Sequence, residues 1–241
     1  MTSDKIKITE IFRAMQGEGP CMGRPAVFIR TFGCPFQCAW CDSKYSWEDG
    51  ATSTEMTGSE IVSKVEELAA GTGKAIAVVT GGEPFIHDMM TQLPIQLSNI
   101  SCIHHVEIET SGAMNSQAIN ALFNQSVDIA FNVSPKLWWP DDRLEKVIHE
   151  WETRIWNWCI PDFSDITRPR VAMKFVVDMG STEEIKRFQK YAKLLPRSLV
   201  WIMPRTHDGK YSIESDRAAA KYALQHGYNF APRLHVQLGL R

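Results

Sequence analysis

Short apolar runs alternate with helical patterns along most of this chain, and that alternation admits few folds. Residues 26–30, 75–79, 103–108, 127–133, 171–177 and 198–202 read as strands. A last strand is expected over 233–238. A helix is expected over 59–70, with Ser59 as its cap and Ile61, Val62, Val65 and Leu68 on one face. Further helices are expected over 115–124, over 181–195 with Ser181 or Thr182 as cap, and over 212–226. Residues 87–97 read as weakly helical, because Pro94 interrupts them. This order predicts an α/β fold with a parallel sheet and crossover helices. Chemistry in such folds sits at the carboxyl ends of the strands. The polar motifs of this chain fall at those ends. A cysteine loop follows 26–30, Thr80-Gly81-Gly82-Glu83-Pro84 follows 75–79, Glu109-Thr110-Ser111-Gly112 follows 103–108, and Ser134-Pro135-Lys136 follows 127–133.

Residues 137–170 break the rhythm. They carry Pro140, Pro161 and Pro169 and, between Trp138 and Trp158, five of the eight tryptophans. A helix is expected over 144–156, with Leu144, Val147, Ile148, Trp151 and Ile155 as its apolar stripe. Packing against the sheet is the plain reading, and a lid or dimer contact the alternative. At 241 residues, 44% hydrophobic and 22% charged, the chain reads as one domain, 1–241, with a large core and this segment as an insertion. A net charge of −2 gives no basic footprint for direct nucleic-acid binding. No apolar run reaches the roughly 18 residues of a membrane span. No apolar secretory segment opens the sequence, so a cytoplasmic location with reduced thiols is expected.

Three of the six cysteines stand in the run Cys34-Pro-Phe-Gln-Cys38-Ala-Trp-Cys41. Thiolates at that spacing can ligate three irons of a 4Fe–4S cluster, leaving the fourth iron open. A structural zinc site would want a fourth Cys or His nearby, and residues 42–59 offer none. Cys21, Cys102 and Cys159 are isolated and read as small buried hydrophobes.

With Trp40 before the last cysteine, the run resembles that of the radical S-adenosylmethionine (SAM) superfamily, where the open iron chelates the amino and carboxylate groups of SAM. The resemblance implies an incomplete TIM-type barrel. Thr80-Gly81-Gly82-Glu83-Pro84 resembles the superfamily's Gly-Gly-Glu-Pro motif, whose backbone and Glu contact the methionine amino group. It implies SAM contacts from Trp40, Cys41, Asp42, Gly82 and Glu83, from Ser134, Pro135 and Lys136 at the carboxylate, and from Glu109 near the ribose. The end of the strand at Met203-Pro204-Arg205-Thr206 would lie by the adenine.

A narrower resemblance rests on Gln16-Gly17-Glu18-Gly19, on Gly23-Arg24-Pro25-Ala26-Val27-Phe28-Ile29-Arg30, and on Gly33-Cys34 and Cys41-Asp42-Ser43. This combination is similar to the 7-carboxy-7-deazaguanine synthases of the queuosine precursor pathway. That family converts 6-carboxy-5,6,7,8-tetrahydropterin to 7-carboxy-7-deazaguanine with loss of ammonia. A 5′-deoxyadenosyl radical takes hydrogen from C6 of the pterin, and the ring contracts. The resemblance implies substrate contacts from Met15, Gln16, Gly17, Glu18 and Thr80, and pairing of Arg30 with the substrate carboxylate. It implies Mg2+ held through Ser43, where relatives usually carry Thr. A flavodoxin or ferredoxin type reductant and a homodimer are further expectations. Many relatives have a longer tail that helps close the substrate site; here His235 or Gln237 would reach the substrate, or belong to the last strand. Two other readings remain. A radical SAM activase for a protein partner would share the cysteine spacing but would need an open groove in place of a small pocket. A non-catalytic iron–sulfur protein would have no need of separate amino-binding and carboxylate-binding loops.

Overall fold

In the computed structural model, residues 4–125, 127–158, 170–206 and 211–240 are described. One nine-stranded sheet organises them, in the order β3-β1-β2-β4-β5-β6-β7-β8-β9. From β2 (Pro25–Thr31) onward the neighbours are parallel: β4 (Ala75–Gly81), β5 (Ile103–Thr110), β6 (Ile129–Val133), β7 (Val171–Val177), β8 (Val200–Pro204) and the two-residue β9 (Asn229–Phe230). These strands are largely apolar because both faces are covered; every residue from Ala75 to Thr80 is buried. Two strands that the apolar runs did not predict extend one edge. β1 (Lys5–Met15) pairs antiparallel with β2 and with β3 (Thr54–Thr57). Its Ile6 and Ile8 face the core while Lys5 and Lys7 stay exposed, a period of two that marks a half-buried strand.

Crossover helices connect the parallel strands, as expected. The first, α1 (Gly58–Ala69), is capped by Thr57 and not by Ser59: the Thr57 hydroxyl accepts from the Glu60 amide, and the Glu60 carboxylate accepts from the Thr57 amide. The weakly helical region divides into a 3-10 turn, Asp88–Thr91, and α2 (Leu93–Ser98). Pro94 lies in the first turn of α2, where its missing N–H has no partner to lose. Asn115 caps α3 (Ser116–Phe123), Ser181 caps α5 (Thr182–Ala192) and Ser212 caps α6 (Ile213–His226). The last strand expected over 233–238 is instead a short helix, α7 (Leu234–Gln237), with no buried residue. The final parallel strand is β9, just before it.

Within the Trp-rich segment, α4 (Asp141–Trp158) is an outer crossover helix. Leu144, Val147, Ile148, Trp151 and Ile155 are all buried in the main core, as the plain reading expected. Trp151 packs on Phe123 and Phe131 and donates from Nε1 to the Gly112 carbonyl at 3.1 Å. Residues 159–169, with Cys159, lie outside the described residues.

Candidate active site

The carboxyl ends of the parallel strands open into a cavity of about 460 Å³. The four polar motifs converge there. Cys34, Cys38, Trp40, Cys41, Asp42 and Ser43 line it from the loop after β2. Thr80, Gly82 and Glu83 come from β4, Glu109 from β5, and Ser134 and Lys136 from β6. Met15, Gln16 and Glu18 enter from the end of β1, and Arg30 from β2. Gly17 and Pro135 do not line it.

Two buried ionisable groups support the floor, and neither was among the expected site residues. Glu107 on β5 accepts from Gln16 Nε2 at 2.7 Å and from Asn132 Nδ2 at 2.5 Å. Gln16 Nε2 also donates to Glu109 at 3.2 Å, and Gln16 Oε1 accepts from the Glu18 amide at 3.2 Å. The Gln16 side chain is therefore fixed at both ends and 1% exposed. Lys174 on β7 forms an ion pair with Glu18. Burial opposes the Lys174 charge, but Glu18 and Glu109 outweigh it and hold the ammonium above the ordinary lysine range. Glu107 moves the other way: burial, reinforced by Glu109, pushes its carboxyl up to about 8. A charge flanked by apolar residues was the available signal, in Met173-Lys174-Phe175 and in Val106-Glu107-Ile108.

Arg30 is braced on three sides. Its Nε donates to Glu10 at 3.0 Å, and its guanidinium lies 5.8 Å from the Phe12 ring centre and 5.5 Å from that of Tyr45. Among the described residues its two Nη atoms have no hydrogen-bond partner. A planar fork with both Nη atoms available suits a carboxylate. Thr80 Oγ1 donates to Glu109 at 2.7 Å.

The cysteine loop is built as a ligand loop. Cys34, Cys38 and Cys41 are free, partly buried thiols. Trp47 Nε1 points at Cys41 Sγ, 3.3 Å away. Phe36 anchors the loop in the core against Trp139, with ring centres 4.9 Å apart. Burial raises the Cys34 thiol to about 11, and the Glu83 charge adds to this. Ligation would then release a proton at neutral pH. Among the described residues no His, Cys, Asp and Glu side chains gather tightly enough to hold one ion. Thiolates of a cluster bind separate irons and need not converge on a point. Three soft donors on one loop at one cavity fit a 4Fe–4S cluster. Ser43, 8% exposed, donates from Oγ to Asp42 Oδ1 at 3.2 Å, so two hard oxygens stand beside the third thiol.

Glu83 has an internal task. Its Oε1 accepts from Thr110 Oγ1 at 2.6 Å and from the Phe85 amide at 3.2 Å. Its Oε2 accepts from the Ser111 amide at 2.8 Å and from the Ser111 hydroxyl. The carboxylate thus ties the Gly-Gly loop to the end of β5, which leaves the glycine backbone to face the cavity. A Cβ on Gly82 would stand 1.9 Å from the Gly33 carbonyl oxygen. The two loops meet so closely that only glycine fits. Lys136 Nζ donates to Ser134 Oγ at 3.1 Å.

The C-terminal segment closes another side. Arg233, His235, Val236 and Leu240 line the cavity. The Leu234 amide donates to the Gly17 carbonyl at 2.9 Å, and a Cβ on Gly17 would stand 2.0 Å from His235 Nδ1. Of the two tail residues singled out in the sequence, His235 reaches the cavity, while Gln237 donates to Asp216 on α6.

The Radical SAM superfamily profile matches residues 28–157. A 7-carboxy-7-deazaguanine synthase from Pyrobaculum aerophilum is 34% identical over 237 residues, covering 96% of this chain and 94% of the relative. One from Halobacterium salinarum is 32% identical over 259 residues, covering 97% and 90%. Among solved structures, QueE from Escherichia coli superposes with a TM-score of 0.63 at 21% identity, over 96% of this chain and 95% of that one. Streptococcus suis SuiB bound to S-adenosylmethionine superposes at 0.55 with 14% identity, over 83% and 45%. These two likenesses show the fold: the open sheet is an incomplete TIM-type barrel. With two relatives matched above 30% identity over nearly their whole length, the chain belongs to the 7-carboxy-7-deazaguanine synthase family of the radical SAM superfamily.

Proposed function

We propose that the chain converts 6-carboxy-5,6,7,8-tetrahydropterin to 7-carboxy-7-deazaguanine with loss of ammonia. One observation carries this reading: the thiol loop and a set of polar groups suited to a carboxylated heterocycle line the same small cavity. A cluster on Cys34, Cys38 and Cys41, with SAM on its open iron, would supply a hydrogen-abstracting radical aimed at C6 of the pterin. The chain's own residues bind, orient and exclude water.

The Gly81-Gly82 backbone, held by Glu83, would accept from the methionine amino group. Ser134 and Lys136 would meet its carboxylate, and Glu109 would stand near the ribose. The Nη fork of Arg30 would take the substrate carboxylate. Glu18, paired with Lys174, would accept from the amino and ring N–H groups of the pterin. Ser43, with substrate oxygens and water, would hold Mg2+ as a hard oxygen donor. A flavodoxin or ferredoxin would supply the electron. The exposed Trp138 and Trp156 are compatible with a homodimer contact. A cavity of about 460 Å³ favours a small substrate over the protein partner of an activase.

An anaerobic assay of the reconstituted chain with SAM, reductant, Mg2+ and the pterin tests this. Both 5′-deoxyadenosine and 7-carboxy-7-deazaguanine are expected by mass spectrometry. Deoxyadenosine without the deazaguanine would remove the pterin as substrate. Neither product, from protein with an intact cluster, would remove the enzymatic reading.

A further inference from the structure

One contact spans the open barrel from side to side. Trp40 sits in the loop after β2, and Arg205 follows β8; in the sheet those strands are separated by β4, β5, β6 and β7. Yet the Arg205 guanidinium carbon lies 4.8 Å from the centre of the Trp40 ring. Arg205 is held for this task. Its Nη2 donates to Asp178 at 2.6 Å, and its Nη1 to Glu184 on α5. Asp178 and Glu184 are themselves linked, since the Asp178 amide donates to Glu184 Oε2 at 2.8 Å. The Arg205 amide donates to the Val177 carbonyl at 2.9 Å, which fixes the backbone as well. Two carboxylates grip the edge of the guanidinium and leave its face for the indole. All three charged side chains are less than one-quarter exposed, so solvent screens them little. Trp40 lines the cavity, whereas Arg205 does not. Arg205 therefore acts from behind Trp40.

We propose that Arg205 is a positioning residue for the cysteine loop: gripped by Asp178 and Glu184, it pins Trp40 across the open side of the barrel and so fixes the turn from Cys38 to Cys41. The consequence for activity rests on the function proposed above, in which that turn supplies two of the cluster thiolates. The positioning itself does not depend on it. Lysine cannot replace the arginine, because one ammonium cannot serve two carboxylates and an aromatic face together.

Hydrogen–deuterium exchange on the full chain, followed by mass spectrometry, tests the idea without relying on turnover. In Arg205→Ala the amides of residues 38–47 should exchange roughly three- to thirty-fold faster, the range an ordinary cation–π contact corresponds to. Peptides from β4 to β6 should be unchanged. Trp40→Ala should do the same, Trp40→Phe should keep most of the protection, and the double Ala variant should exchange no faster than either single one. After reconstitution, Arg205→Ala should lose iron to a chelator faster than the parent chain. Unchanged exchange in residues 38–47, or an increase spread over all strands, would overturn the proposal, as would additive effects in the double variant. A parent chain that takes up no iron and sulfide would overturn the proposed function, while the exchange result would still decide the role of Arg205.

Discussion

Arg30 reaches the cavity with its Nε bound by Glu10 and its plane beside Phe12 and Tyr45. That leaves a fork for one planar anion. In Arg30→Lys the charge stays and the fork goes, so kcat/KM for the pterin should fall about 10- to 100-fold, the range of a lost charge-assisted hydrogen bond. The loss should appear mostly in KM, and slow SAM cleavage without substrate should be unaltered; steady-state kinetics with and without the pterin checks both. Glu107 yields a pH prediction. Its carboxyl ionises near 4.5 when unfolded and is pushed up to about 8 when folded, by burial and then by Glu109. The folded state thus holds the proton more tightly than the unfolded one. Its stabilising effect is full below 4.5, declines as pH rises, and is gone above 8. Glu107→Gln carries no such proton, so its stability should fall less between pH 5 and pH 8.5 than that of the parent chain. Urea denaturation of both at the two pH values measures this; equal slopes would show that Glu107 titrates normally.

Elements with one strong periodic signal were legible, and those set by tertiary pairing were not. The parallel strands read as apolar runs because they are buried on both faces, and α4 read correctly from its stripe of Leu144, Val147, Ile148, Trp151 and Ile155. β1 and β3 were missed: β1 offers no continuous apolar run and alternates only from Lys5 to Ile8, and β3 is four residues long on an edge. The tail was misread as a strand because Leu234, Val236 and Leu238 alternate, yet they form one helical turn held by Gly17. Motif positions in the site were legible, since each cluster of polar residues follows an apolar run. The partners of Lys174 and Glu107 were not, because a charge in a strand gives no hint of what it meets across the fold. Interlocked loops were also illegible, as nothing in the sequence says that Gly82 faces Gly33. Gly82→Ala would place a methyl 1.9 Å from a backbone oxygen, so the Gly-Gly loop and the cysteine loop must separate. Iron and sulfide uptake on reconstitution should drop severalfold, while far-ultraviolet circular dichroism stays as in the parent chain. Normal uptake would mean that the loops separate without disturbing the thiols.

Across the whole molecule, the two ends of the chain meet over the cavity. β1 delivers Gln16, Gly17 and Glu18, and α7 covers them from the other side through the Leu234–Gly17 hydrogen bond. Arg233 adds a longer contact, 3.8 Å, to Asp42 of the cysteine loop. The open sheet cannot close this mouth itself, because β3 and β9 end it on opposite sides. Under the proposed function, water exclusion falls to the tail, because a reactive intermediate in a wet cavity is diverted to side reactions. Deleting residues 233–241 removes all four tail residues from the wall and, among the described residues, no buried core side chain. The truncated chain should keep the thermal stability of the parent chain to within a few degrees, along with its cluster content. Its yield of deazaguanine per deoxyadenosine should drop at least tenfold, because substrate is no longer retained and sheltered. Quantifying both products in one anaerobic time course separates the cases. A preserved ratio with slower turnover would show that the tail only helps substrate enter, and a loss of both products with intact cluster would show that it supports SAM binding as well.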